Sequence, residues 1–113
     1  MTSSVLVVAA TPMELAPSDG WQTLVCGVGP VDAAIRTAAA IAAERPHAIL
    51  HVGIAGARAA SGITPVSLAI GSRSHYSDLS VPEQFAPHVV YPDARLLAAV
   101  TRALPHAYTR QIG

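Results

Sequence analysis

"LVCGVGPVDAAIRTAAAIAAERPHAILHVGIAGA", residues 24–57, is the stretch that decides the fold. It opens inside an apolar run over residues 21–26 that reads as a strand and stops at Gly27-Val28-Gly29. Helix is expected at once. Pro30 suits a first helical position, where its missing N–H costs nothing, and Asp32 complements the positive end of the helix dipole. Val31, Ala34, Ile35, Ala38, Ile41 and Ala42 recur at helical spacing, with Asp32 and Arg36, four apart, on the solvent side. Arg45 and Pro46 end the helix, and residues 47–52 form a third apolar run leading into Gly53-Ile54-Ala55-Gly56. Strand, glycine turn, helix and strand make a βαβ unit, which predicts parallel pairing, a right-handed crossover and the α/β class.

Working outward, residues 5–10 are a continuous apolar, β-branched run, the pattern of a strand covered on both faces. It ends at Thr11-Pro12. The expectation beyond residue 60 is a strand over 67–71, a loop over 72–92 broken by Pro82, Pro87 and Pro92, and a helix capped by Asp93. That helix runs to about Leu104, with Leu96, Leu97, Val100 and Leu104 on one face, and Pro105 stops it. The whole is expected to be one α/β domain over residues 1–113, a mostly parallel sheet flanked by helices in three layers.

Composition narrows the function classes. The chain has 113 residues, 51% of them hydrophobic and 12% charged, which is a globular composition. Seven Arg and no Lys against seven acids give no net charge, so nothing gathers nucleic acid or anionic lipid. A small, weakly polar ligand fits better. Cys26 is the only cysteine, which excludes an intrachain disulfide and a cysteine-based zinc cluster, and its apolar setting reads as a buried thiol. No apolar run approaches the ~18 residues of a membrane span, and the N-terminus lacks a basic region, so a cytoplasmic protein without membrane contact is expected.

Ligands of a parallel sheet sit outside the carboxyl ends of its strands. Three turns qualify: Thr11-Pro12-Met13-Glu14, Gly27-Val28-Gly29-Pro30 and Gly53-Ile54-Ala55-Gly56. A dinucleotide fingerprint beginning at Gly27 would need its third glycine where Asp32 stands, whose charge opposes a pyrophosphate. Thr11-Pro12-Met13-Glu14 has the form of a capping box, with Glu14 reaching back to the Thr11 amide. Gly53 and Gly56 have a simple use as residues of positive φ at a strand exit. His51, inside an apolar run, reads as a core or near-site histidine, not a metal ligand, because no second ligand shows suitable spacing. Residues 75–78, His-Tyr-Ser-Asp, and Arg58 carry weaker functional signals; Arg58 reads as a solvated loop charge.

Taken together, "VLVVAATPMEL", "LVCGVGPVDAAI" and "ILHVGIAGA" resemble the N-terminal half of the purine nucleoside phosphorylase and nucleosidase superfamily. "GVGPVDAA" followed by "GIAGA" looks most like futalosine hydrolase, with methylthioadenosine/S-adenosylhomocysteine nucleosidase next. The resemblance covers residues 5 to 60 well and the remainder loosely. It implies hydrolysis of the N-glycosidic bond of a purine-type nucleoside without metal or cofactor, and a homo-oligomer, by default a dimer. Glu14 matches the residue that orients water, and Val28 the residue that lines the 5′ side of the sugar. Gly53, Ile54, Ala55 and Gly56 match the turn whose backbone meets the water site and the base. A related phosphorylase has a phosphate-binding serine at the position of Ile54 and an anion-binding arginine at that of His51, so water is favoured over phosphate as nucleophile.

Two parts of the pattern are missing. The resemblance calls for a ribose-binding glutamate after a methionine on a late strand, and for an aspartate that protonates the base. The acids beyond Gly56 are Asp78, Glu83 and Asp93, none in that context. The first helix is also shortened, by Pro17 and Gly20. The expectation is a fold incomplete on its C-terminal side. The rival reading is a non-catalytic module, derived from the same half-fold, that binds a nucleoside or another protein.

Overall fold

The computed structural model describes residues 4–16 and 19–113. It is an α/β structure with two three-stranded sheets and two helices, and the strands are not all parallel. The chain divides into two compact units, one ending at Gly56 and the other beginning at Ala57.

In the first unit, β1 (Val5–Ala9) lies between β2 (Gln22–Val25) and β3 (Ala48–His51), parallel to both. Val7 is level with Thr23 on one side and Leu50 on the other. The ladders continue past the strand ends, where Cys26 N–H donates to the Ala9 carbonyl and Val52 N–H to the Val8 carbonyl, both at 2.9 Å. As the unbroken apolar run requires, Leu6, Val7, Val8 and Ala9 are buried on both faces of β1. Leu6 and Val8 meet Cys26 in a core completed by Leu24, Ala33, Ala40 and Ile49. Burying an aliphatic side chain of this size stabilises by roughly 1.5–3 kcal/mol.

Helix α1 (Pro30–Glu44) has Pro30 in its first turn and ends at Arg45 in the left-handed region, φ 46°. Its orientation corrects the expectation from spacing. The face turned to the sheet is Ala33, Thr37 and Ala40, whereas Val31 and Ile35 are 69% and 63% exposed, and Ala34, Ala38, Ile41 and Ala42 are exposed with them. The reason lies in composition. Alanines occupy so much of α1 that more than one face satisfies a helical apolar spacing, and the small-residue face lets the helix approach the strands most closely.

The second unit departs further from the sequence expectation. β4 (Ala69–His75) extends well beyond residue 71, pairs antiparallel with the short β5 (Val89–Val90), and pairs parallel with β6 (Tyr108–Ile112). A single, mostly parallel sheet is therefore replaced by two sheets, and the expected 72–92 loop contains strand at both ends. The strand β6 has no counterpart in the expectation, because Tyr-Thr-Arg-Gln-Ile is mostly polar and follows Pro105 closely. Helix α2 (Ala94–Ala103) begins as expected: the Asp93 carboxylate accepts from Leu96 N–H at 2.9 Å. Leu96, Leu97 and Val100 form its half-buried face, while Leu104 lies past the helix end and is exposed. Pro17 lies outside the described residues.

The Asp93 cap gives a direct test of this second unit. Asp93→Ala should lower stability by about 1 kcal/mol in urea denaturation, and Asp93→Asn should retain most of it.

Candidate functional site

All three strands of the first sheet run the same way, so the loops after β1, β2 and β3 emerge at one edge. The loop after β1 is the middle one. It closes as a single 3-10 turn (Pro12–Glu14) in which the Glu14 side chain reaches back: Thr11 N–H donates to Oε2 at 3.1 Å, and the Thr11 hydroxyl to the same oxygen at 2.9 Å. This is the capping box expected from the sequence.

The other carboxylate oxygen goes elsewhere. Ile54 N–H, forty residues away in sequence, donates to Glu14 Oε1 at 3.0 Å, joining the β1 loop to the β3 loop. The role of Gly53 follows from this bond. Gly53 and Gly56 have no positive φ, so the strand-exit explanation does not apply to either. A Cβ on Gly53 would lie 3.3 Å from Glu14 Oε1, so glycine there leaves room for the carboxylate. Gly56 has open space where a Cβ would stand.

Electrostatics favour the ionised form of Glu14. The Ile54 amide is the largest influence holding its carboxyl below the usual range, followed by the Thr11 hydroxyl; partial desolvation opposes them, and the Thr11 amide and the charge of His51 add smaller contributions in the same direction. His51 is exposed at the end of β3, which removes the core reading and leaves it a neighbour of Glu14.

The structure thus brings Glu14, Gly53 and Ile54 together, with His51 alongside. Ile54 presents its backbone amide inward while its residue surface is 86% exposed. Ala55 and Gly56 continue the chain in exposed positions. Val28, 75% exposed, stands on the loop after β2, so β1 and its loop lie between Val28 and Ile54.

That β2 loop also answers the dinucleotide reading. Gly27 and Gly29 have φ of 87° and 94°, a conformation suited to glycine. Beside Gly27, however, a Cβ would lie 3.1 Å from Asp32 Cβ and 3.4 Å from its carboxylate, so the turn has an acid against it, which opposes an anionic ligand there. Cys26 is buried, with its thiol 3.5 Å from the Gly27 carbonyl. Among the described residues, no group of three or more His, Cys, Asp or Glu side chains is arranged to hold a metal ion, and no helix is long and apolar enough to cross a membrane.

Two acids of the second unit have local uses. Asp93 caps α2, and Glu83 accepts from the His88 backbone amide at 3.0 and 3.1 Å. Arg58 is exposed where a short 3-10 turn (Ala59–Ser61) begins. Comparison with protein-family models, curated proteins and solved structures finds no match.

The Glu14 contacts carry a sign-determined pH dependence. Because folding lowers the Glu14 pKa, its contribution to stability is present above the ordinary value of 4.5 and is lost as pH falls through the folded value. The stability advantage of the native chain over Glu14→Gln should therefore shrink between neutral and acid pH in urea denaturation. Gly53→Ala should displace the carboxylate from Ile54 and raise the Glu14 titration midpoint, read by carbon NMR of the side chain.

Proposed function

We propose that the chain carries the N-terminal half of a three-layer nucleoside phosphorylase/hydrolase-like fold, and that it hydrolyses the N-glycosidic bond of a purine-type nucleoside such as futalosine or methylthioadenosine. The supporting observation is the ionised Glu14 carboxylate, held at the carboxyl edge of a parallel sheet by the Ile54 amide and Thr11. In this reading Glu14 orients a water molecule with its remaining lone pairs. Water oxygen bonds to the anomeric carbon as the C–N bond breaks, the bonding pair leaves with the base, and the water's lost proton is balanced by one delivered to that base. Gly53 keeps the carboxylate accessible to the turn, Ile54 to Gly56 meet the base, and Val28 meets the sugar. Ile54 offers no side-chain donor to phosphate, which supports water as the nucleophile. Metal and cofactor have no part in this scheme. The working form is a cytoplasmic homodimer, with a small nucleoside as its ligand and neither nucleic acid nor membrane as partner.

A second reading is favoured by the use already made of the acids. Both Glu14 oxygens are hydrogen-bonded within the protein, and Asp93 and Glu83 serve a helix cap and a loop. A chain whose carboxylates are committed in this way serves as a nucleoside-binding or protein-interaction module without turnover.

Base release separates the two. Incubation with futalosine, methylthioadenosine, S-adenosylhomocysteine, adenosine and inosine, with and without phosphate, should yield free base independently of phosphate. Glu14→Gln should reduce the rate by roughly 10²–10⁴-fold, the usual weight of a positioned acid–base group. Calorimetric binding of a nucleoside by a folded chain that releases no base would establish the module instead.

A further inference from the structure

The second unit contains a histidine with acceptors at both ring nitrogens. His88 lies just before β5, anchored to the end of β4 by its carbonyl, which accepts from Tyr76 N–H at 2.7 Å. Its Nε2 is 2.6 Å from the Val81 carbonyl oxygen, and its Nδ1 is 3.2 Å from Glu83 Oε2. A carbonyl and a carboxylate only accept, so satisfying both contacts requires an N–H on each ring nitrogen. Neutral imidazole has one such N–H; imidazolium has two.

We infer that residues 81–88 form a proton-dependent loop, closed when the His88 ring is cationic and loosened when it is neutral. The ring ties back the two residues that flank Pro82, and a turn closes beneath them, with Phe85 N–H donating to the Pro82 carbonyl at 2.9 Å. Glu83 binds the same residue twice, through the ring and through the His88 backbone amide. Loss of the ring proton therefore releases either Val81 or the carboxylate–ring contact, while the amide contact to Glu83 remains. Among the described residues, Glu83 is the acid that pairs with the ring. β4 and its end contribute Arg73, His75 and Tyr76; Arg73 Nε donates to Gln111 Oε1 at 2.6 Å, and His75 Nδ1 faces Ser77 Oγ at 3.4 Å. The segment between β4 and β5 contributes Asp78 and Glu83, of which Glu83 contacts the ring, and β5 contributes only valines. Histidine is the side chain whose charge ordinarily changes between about pH 5 and 8, so that is the range over which the loop is tested.

The test uses the full chain. Amide hydrogen exchange at Phe85, referenced to α1 amides in the same sample to remove the base-catalysed rise, should show protection falling about tenfold from about pH 5 to about pH 8, the weight of one hydrogen bond, while the His88 amide, held by Glu83, stays protected. His88→Gln, with a single neutral donor group, should abolish that fall. Nitrogen NMR of the native ring gives a readout that does not depend on the variant folding: the protected loop should coincide with two protonated ring nitrogens. Protection that stays flat across the range, an equal fall in His88→Gln, or a protected loop around a single neutral tautomer would each overturn the inference.

Discussion

The central position of β1 is the constraint on which the first unit depends. A strand paired in parallel on both sides sends the loops of three strands to one edge, and only then can residues 14 and 54 meet. The apolar run over residues 5–9 makes this placement favourable, because a strand without a polar face is stable only where both faces are covered. Pairing fixes the register, the register fixes where the loops begin, and the Glu14–Ile54 bond follows. An error of one residue in either ladder would turn the side chains of an entire strand to the opposite face.

Glu14 combines a structural and a chemical property in one group. The Ile54 amide and the Thr11 donors that hold the turn after β1 also lower the carboxyl's pKa, so the local fold favours an anion at the strand edge. Fixed donors around a carboxylate limit its reorientation, which is useful for orienting water and equally useful for a purely architectural turn. Gly53 sharpens the point. Its value lies in the missing side chain beside Oε1, not in an unusual backbone angle.

Legibility in the sequence follows the range of the interaction. The βαβ unit was readable because its signals are local: Pro30 at a helix start, apolar runs of strand length, and the Gly27-Val28-Gly29 stop, whereas positive φ was expected at Gly53 and Gly56 and occurs instead at Gly27 and Gly29. Asp93 at the head of α2 is local in the same way. The Thr11–Glu14 turn was visible as a capping box, yet the Ile54 donor was not, since no spacing rule reports a contact across forty residues. β6 was missed because Thr109, Arg110 and Gln111 lack the apolar alternation that marks a half-buried strand, and its pairing with β4 must be made across α2. The sheet-facing side of α1 was missed because alanine carries too little contrast to point to one side.

That last feature reverses the usual relation between hydrophobicity and mutational tolerance. On α1 the positions that should accept little change are the small ones, Ala33 and Ala40, where each added methylene would lift the helix from its strands. Ile35, although larger and more apolar, stands in solvent and should accept polar replacements at little thermodynamic cost in the isolated unit. A record of substitutions tolerated along α1 would therefore read as inverted, strict at alanine and permissive at isoleucine. It would report how close the helix sits to the sheet more directly than any hydropathy profile.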